Sequence, residues 1–291
     1  MGGGYGVDIF LILSGFGLTY SIMKKEESGL RVDWGEYYKK RVKRIIPTYV
    51  LVASIYYLIL CNSFRQVIYN LSFANFIIDG KRDFWYIFAL LICYLVFPIY
   101  GKLKQKINFR ILLVALSIIS VLITVSINIL NPECYVNWEI ALWRFPCFWI
   151  GCYYGVLIIY NRTQEFYIST VVFTLVGFIL FMCTGFSRNT FTFLSPVVMI
   201  VFCKVLELIR TYAKAGLNIL RFFGGISLEV YLVHVSFGVL LSNYIYRITS
   251  LHWLSIIAYF CVSVILAVCV QCLIKNGERL FGLLKNLKYF S

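Results

Sequence analysis

Residues 1–25 of the chain read MGGGYGVDIFLILSGFGLTYSIMKK. Residues 5–23 are apolar enough for a membrane helix, yet they include the carboxylate of Asp8. A carboxylate within a membrane span is costly unless it faces the protein interior. Ser14, Gly15 and Gly17 follow, and small residues of this kind favour close packing between membrane helices. We therefore predict that this helix packs against other spans and turns Asp8 towards them.

The composition of the 291 residues indicates a membrane protein with several spans. Hydrophobic residues make up 61% of the chain, charged residues make up 14%, and the mean hydropathy is +0.83. These values exclude a soluble domain. A net charge of +14 would suggest nucleic-acid binding in a soluble protein, but here the basic residues lie in short connections between apolar segments. The positions of the basic residues therefore indicate membrane topology. We predict no nucleic-acid partner.

The apolar segments predict an all-α, polytopic membrane helix bundle that forms a single domain over residues 1–291. A span needs about 20 apolar residues. By this criterion there are nine predicted transmembrane helices, at residues 5–23, 45–61, 84–100, 111–130, 140–160, 166–184, 191–209, 226–246 and 253–274.

The basic residues predict the orientation of these spans. When the connections are assigned alternately to two sides, 20 Lys and Arg residues fall on one side and 5 on the other. Cytoplasmic connections carry the excess of basic residues. The prediction is an N-terminus outside and a cytoplasmic C-terminus.

Five short motifs occur in order along the chain, each of them degenerate when taken alone. They are GVDIF (6–10) with SGF (14–16), KRVKRIIP (40–47), FWYI (84–87) leading to Tyr94 and Pro98, RFPCFWIG (144–151), and ISLEVYLVH (226–234). Together they resemble the acyltransferase 3 family of integral membrane acyltransferases, over about residues 4–239.

The resemblance implies ten membrane helices with both ends in the cytoplasm, the first of them bearing an Arg and the histidine taken as catalytic base. The spans predicted here start with the family's second helix. We therefore expect the His-bearing helix to precede residue 1, so that the chain is truncated relative to the family. The charge pattern leads to the same expectation without the family, because it predicts an outside N-terminus with no preceding span.

The resemblance also implies the reaction. It is the transfer of an acyl group, most often acetyl, from cytoplasmic acyl-CoA to a hydroxyl of a cell-surface or exported glycan, catalysed in a bacterial cytoplasmic membrane. A sugar hydroxyl needs a positioned base, and histidine is the side chain suited to this near neutral pH. No metal is predicted. A glycan or lipid-precursor transporter, and an inactive remnant of the enzyme, are the alternatives.

Arg41 and Arg44 are the candidates for binding the phosphates of acyl-CoA. A spacing of three residues puts them on one face of a helix, and Arg matches phosphate oxygens as a fork. The alternative is that both are ordinary anchors at the cytoplasmic end of a span.

Asp8 and His234 are the candidate catalytic residues. Asp8 would orient the missing histidine, or else it is a boundary residue or the partner of an interior Arg such as Arg144. His234 matches a family position, and a structural or acceptor-side role is the alternative to catalysis. The candidate substrate-binding residues are Trp85, Tyr86, Arg144 and Glu229. The first two could instead be ordinary aromatic residues at the membrane interface.

Overall fold

A computed structural model describes residues 4–184, 188–212, 214–238, 244–248 and 252–287, and every regular element in these ranges is helical. The numbered helices are α1 (Gly4–Glu27), α2 (Trp34–Leu60), α3 (Phe64–Leu71), α4 (Ala74–Ile77), α5 (Trp85–Leu103), α6 (Phe109–Leu130), α7 (Pro132–Leu142), α8 (Phe145–Ile159), α9 (Thr163–Thr184), α10 (Arg188–Tyr212), α11 (Lys214–Gly225), α12 (Ser227–Val233) and α13 (His252–Leu287). After α12, His234–Gly238 forms a π-helical turn, and residues 244–248 are also helical.

The number of spans agrees with the predicted polytopic bundle. Within the described ranges, eight helical stretches are long and apolar enough to cross a membrane, or nine if one bent pair is counted as a span. Only helices and closed barrels satisfy every backbone polar group within a bilayer. The all-α membrane architecture predicted from the sequence is therefore confirmed.

The predicted helix at residues 140–160 is divided at Trp143 and Arg144 into α7 and α8. Pro146 lies in the first turn of α8, where its missing N–H and fixed ring prevent an unbroken helix. Two carbonyls next to the break receive side-chain donors: Nη1 of Arg144 donates to O of Ile140 at 2.8 Å, and the hydroxyl of Thr192 donates to O of Trp143 at 2.5 Å.

The predicted span at residues 226–246 begins at a break between two helices. Asn218–Gly225 and Ser227–Gly238 are bent by 57° at Ile226, whose φ and ψ of −110° and 10° are not helical. The break follows a Gly-Gly pair at the end of α11, which is the composition expected at a helix C-terminus. The predicted continuation through residues 239–243 lies outside the described residues.

The chain divides into two compact units. The first unit contains residues up to 38 and residues 76–212, and the second contains residues 39–75 and those from 213 onward. In the first unit α1 packs along α8. A Cβ atom on Gly15 would overlap the backbone of Phe148, and one on Gly151 would overlap the backbone of Ile12. The close packing predicted for Gly15 is confirmed, whereas Gly17 faces open space.

The second unit is built from most of α2, from α3, and from α11, α12 and α13. Ser63 caps α3 by accepting a hydrogen bond from N of Gln66, and Tyr49 stacks on Phe73, with ring centroids 4.7 Å apart. Helix α12 packs against α13. Parts of α2, α11, α12 and α13 line a common cavity, described below.

Candidate functional site

A buried ion pair joins Asp8 of α1 to Arg144, the residue at the break between α7 and α8, within the first unit. Nε of Arg144 lies 2.8 Å from Oδ1 of Asp8, and the two side chains are 5% and 0% exposed. An isolated charge at this depth is very costly, so each residue needs the other. The pairing that the sequence allowed for these two residues is therefore present.

Ser195 and Trp85 complete the surroundings of this pair. The hydroxyl of Ser195 lies 3.3 Å from Oδ2 of Asp8, and the guanidinium of Arg144 lies over the ring of Trp85, 5.0 Å from its centroid. Tyr86 touches Trp85 edge to face. Both aromatic side chains are buried, at 8% and 6% exposure. We refer to Asp8, Trp85, Arg144 and Ser195 as the inner cluster.

The inner cluster can hold a charged network away from solvent and lipid. The helix break puts Arg144 within reach of a free carbonyl, a carboxylate and an aromatic face at once. A guanidinium is suited to this because it offers donors in a plane and a flat surface for stacking. Three members of the inner cluster were predicted as site residues from the sequence. Ser195 was not, because the sequence does not distinguish it from other hydroxyl residues in apolar helices.

A second ion pair, in the second unit, joins Arg44 of α2 to Glu229 of α12. Nη1 and Nη2 of Arg44 bind Oε1 and Oε2 of Glu229 at 2.5 and 3.1 Å, and Nη2 also lies 3.2 Å from O of Gly225. The side chain of Glu229 is 1% exposed and that of Arg44 is 46% exposed. The pair is a bidentate fork with one partner buried and the other reaching solvent.

This pair forms part of the wall of a cavity of about 670 Å³ within the second unit. Five lining side chains are cationic and two are carboxylates. The cationic ones are Lys40, Lys43, Arg44, Arg221 and Lys275, and the carboxylates are Glu229 and Glu278.

Both carboxylates of the cavity are matched by cations. Arg44 binds Glu229, and Nζ of Lys43 lies 3.6 Å from Glu278. The lining therefore keeps an excess of positive charge. A concave, cationic surface of this size is suited to an anionic ligand.

The other candidates lie outside both groups. Arg41 is half-buried and does not line the cavity, so the common face predicted for Arg41 and Arg44 does not bring both to it. His234 is exposed at the start of the π-helical turn, with its ring 5.2 Å from that of Tyr259. Arg221, Lys275 and Glu278 also line the cavity but were not predicted as site residues from the sequence. Arg221 and Lys275 were interpreted there only as basic residues that indicate membrane topology.

Comparison with known proteins places this geometry in a family. Residues 1–272 match the family model described as an acyltransferase domain. No curated protein and no solved structure matches the chain. The matched region covers nearly all of the described helices, including the inner cluster and most of the residues that line the cavity. The resemblance seen in the five ordered motifs is therefore confirmed, and this multi-pass membrane protein belongs to the acyltransferase 3 family.

Proposed function

We propose that this protein is an O-acyltransferase that moves an acyl group, in the simplest case acetyl, from acyl-CoA to a hydroxyl of a cell-surface or exported glycan. The thioester C–S bond breaks, an ester C–O bond forms, and the thiol of CoA leaves with the proton of the hydroxyl. The reaction takes place in a bacterial cytoplasmic membrane, with the donor on the cytoplasmic side.

The observation that carries the proposal is the cationic cavity next to Arg44, in a chain of an acyltransferase family. Acyl-CoA is a strongly anionic substrate, and its phosphates need Lys or Arg partners. The cavity supplies five cations from three helices. It therefore supports a donor site on the side of the membrane that the basic residues predict to be cytoplasmic.

Asp8, Trp85 and Tyr86 of the first unit, and separately His234 of the second unit, are proposed for acceptor binding and catalysis. Trp85 stacks on Arg144 and adjoins Tyr86, and both rings are buried, so a sugar ring would reach them only after the side chains around them move. His234 begins a π-helical turn, an irregularity frequent at functional sites. The first residues to test are therefore His234 for proton transfer and Trp85 for acceptor binding.

A transporter of glycan or lipid precursors has one observation in its favour. The span bent by 57° at Ile226 is the kind of broken helix that transporters use at their binding sites. A transporter moves its substrate without acyl-CoA, so the two functions separate in one assay. Family membership favours acyl transfer.

The test is acyl transfer in membranes from cells that express the chain. Membranes are supplied with acetyl-CoA labelled in the acetyl group, and label is measured in the glycan fraction against membranes from cells carrying an empty vector. We expect label in glycan, and its loss by about tenfold or more in Arg44→Ala and His234→Ala. Arg41→Ala tests the second candidate for donor binding in the same way. Folded protein that binds acetyl-CoA but transfers no label would contradict the proposal and favour an inactive relative.

A further inference from the structure

The two terminal nitrogens of Arg44 are already occupied. Two of its nitrogens bind the two oxygens of Glu229, and Nη2 also approaches the carbonyl of Gly225. A bidentate grip on phosphate through the two terminal nitrogens would use the same pair of parallel N–H groups. Arg44 therefore cannot present this fork to a phosphate while it holds Glu229.

Arg44 instead neutralises the charge of Glu229. The side chain of Glu229 is 1% exposed, it lies in the wall of the cavity, and its charge would repel an anionic ligand if nothing neutralised it. Arg44 supplies that neutralisation from the solvent side, where its own side chain is 46% exposed. The pair thus makes the wall neutral without using another cation.

Four cations of the cavity are separate from this pair: Lys40, Lys43, Arg221 and Lys275. They come from α2, α11 and α13, so they line the cavity from three helices. Lys43 is 64% exposed and lies 3.6 Å from Glu278, while Lys275 donates to Gln271 at 3.1 Å. Lys43 and Lys275 can reorient towards an entering anion because Glu278 is exposed and Gln271 is uncharged.

We propose that Arg221 and Lys275, supported by Lys40 and Lys43, bind the phosphates of the donor, and that Arg44 is a positioning residue that neutralises Glu229. This inference rests on the proposed function, because it assigns residues within the donor site of that reaction. Phosphate binding and neutralisation of Glu229 are thus assigned to different cations of the cavity.

Direct binding of CoA tests the assignment without turnover. Purified full-length chain in detergent is titrated with radiolabelled CoA, and with 3′-dephospho-CoA as a probe that lacks one phosphate. Arg221→Gln and Lys275→Gln should each weaken CoA binding by about tenfold. Each should also reduce the preference for CoA over 3′-dephospho-CoA.

The matched controls are Lys39→Gln and Arg279→Gln, which remove exposed cations of α2 and α13 that do not line the cavity. They should bind CoA within about twofold of the wild-type chain, since surface charges away from a site contribute little. If Arg221→Gln and Lys275→Gln bind CoA as well as these controls do, the assignment of the phosphate ligands is overturned.

A double variant tests the role of Arg44. Arg44→Gln leaves the buried Glu229 charge unmatched and should lose CoA binding by about tenfold or more. Adding Glu229→Gln removes that charge, so the double variant should recover binding to within about threefold of wild type. If Arg44 held the phosphates itself, the double variant would bind as weakly as Arg44→Gln, and the positioning role would be wrong.

The two proposals fail in different ways. If wild-type chain binds CoA and transfers acetyl groups while the cavity variants bind normally, only the present inference falls. If folded wild-type chain binds no CoA at all, this inference and the choice of donor in the proposed function fall together. Should Arg44→Gln not fold, the double variant still decides the question, because it is expected both to fold and to bind CoA.

Discussion

Replacing Arg144 by Met would test whether the inner cluster holds the first unit together. Met is apolar and has a long, flexible side chain, so the change removes the charge with little loss of bulk. Asp8 would then remain a carboxylate at 0% exposure. It would lack the cationic partner that lies 2.8 Å from it in the wild-type chain. The change also removes the donor to O of Ile140 and the cation that stacks on Trp85.

Loss of one partner from a buried ion pair costs about 3–5 kcal/mol. For chains of about 150–250 residues, 1 kcal/mol corresponds to about 2–4 °C in melting temperature. We therefore expect Arg144→Met to lower the melting temperature by on the order of 10 °C. Combining it with Asp8→Leu removes both charges, which is often nearly neutral, so the double variant should regain most of the loss.

The assay heats detergent-solubilised protein and measures, by fluorescence-detected size-exclusion chromatography, the temperature at which half remains monodisperse. The matched control is Arg82→Met, which breaks an exposed Arg–Glu139 pair of 3.2 Å in the same unit. Exposed pairs contribute about 0–1 kcal/mol, so this variant should change the melting temperature by only a few degrees. An Arg144→Met protein as stable as the Arg82→Met protein, or a double variant no better than the single one, would refute the reasoning.

Three further predictions concern packing and topology. Gly15→Ala should sharply reduce the yield of monodisperse protein because its Cβ would meet the backbone of α8, whereas Gly17→Ala should express normally. Thr192→Val should lower the free energy of unfolding by about 1–3 kcal/mol, measured by the same thermal assay, because it leaves the carbonyl of Trp143 without its side-chain donor; an unchanged melting temperature would contradict this role. A fluorescent protein fused after Ser291 should be bright and an alkaline phosphatase fused there inactive, since the basic residues predict a cytoplasmic C-terminus; the reverse pattern would overturn the orientation.

The fold class could be predicted from the sequence because one physical requirement dominates it. Backbone groups in a bilayer must be satisfied within the same element, so long apolar runs become helices whatever their neighbours are. The break at Arg144 was harder to predict. Its local signal, Pro146, is present in the sequence, but hydropathy averages over it. The break at Ile226 coincides with the start of a predicted span and follows a Gly-Gly pair.

The inner cluster was partly predictable for a related reason. A charged side chain inside a membrane protein needs a partner of opposite charge. Arg144 could therefore be named from the sequence as a partner for Asp8. Nothing in the sequence identifies α10 as the helix that supplies Ser195, since many hydroxyls occur in the spans and only tertiary packing selects one.

The Arg44–Glu229 pair and the cavity that it lines could not be predicted from the sequence. Arg44 and Glu229 are 185 residues apart, and their motifs point to donor and acceptor roles respectively, yet they form one ion pair. Arg221 and Lys275 read as topology signals because hydropathy treats every basic residue at a span end alike. Only the bend after Gly225 and the packing of α13 bring these side chains to one cavity.

The pairing of Asp8 with Arg144 also has a consequence for biogenesis. The helix with the acid is synthesised more than a hundred residues before the one with the base. An unpartnered Arg near the middle of a span costs about 2.5–3.5 kcal/mol during insertion. We expect α1 to stay close to the insertion machinery until the span from Pro132 to Ile159 emerges, so that the two charges enter the bilayer already matched. Assembly of the first unit would then depend on the order in which its helices are released into the lipid.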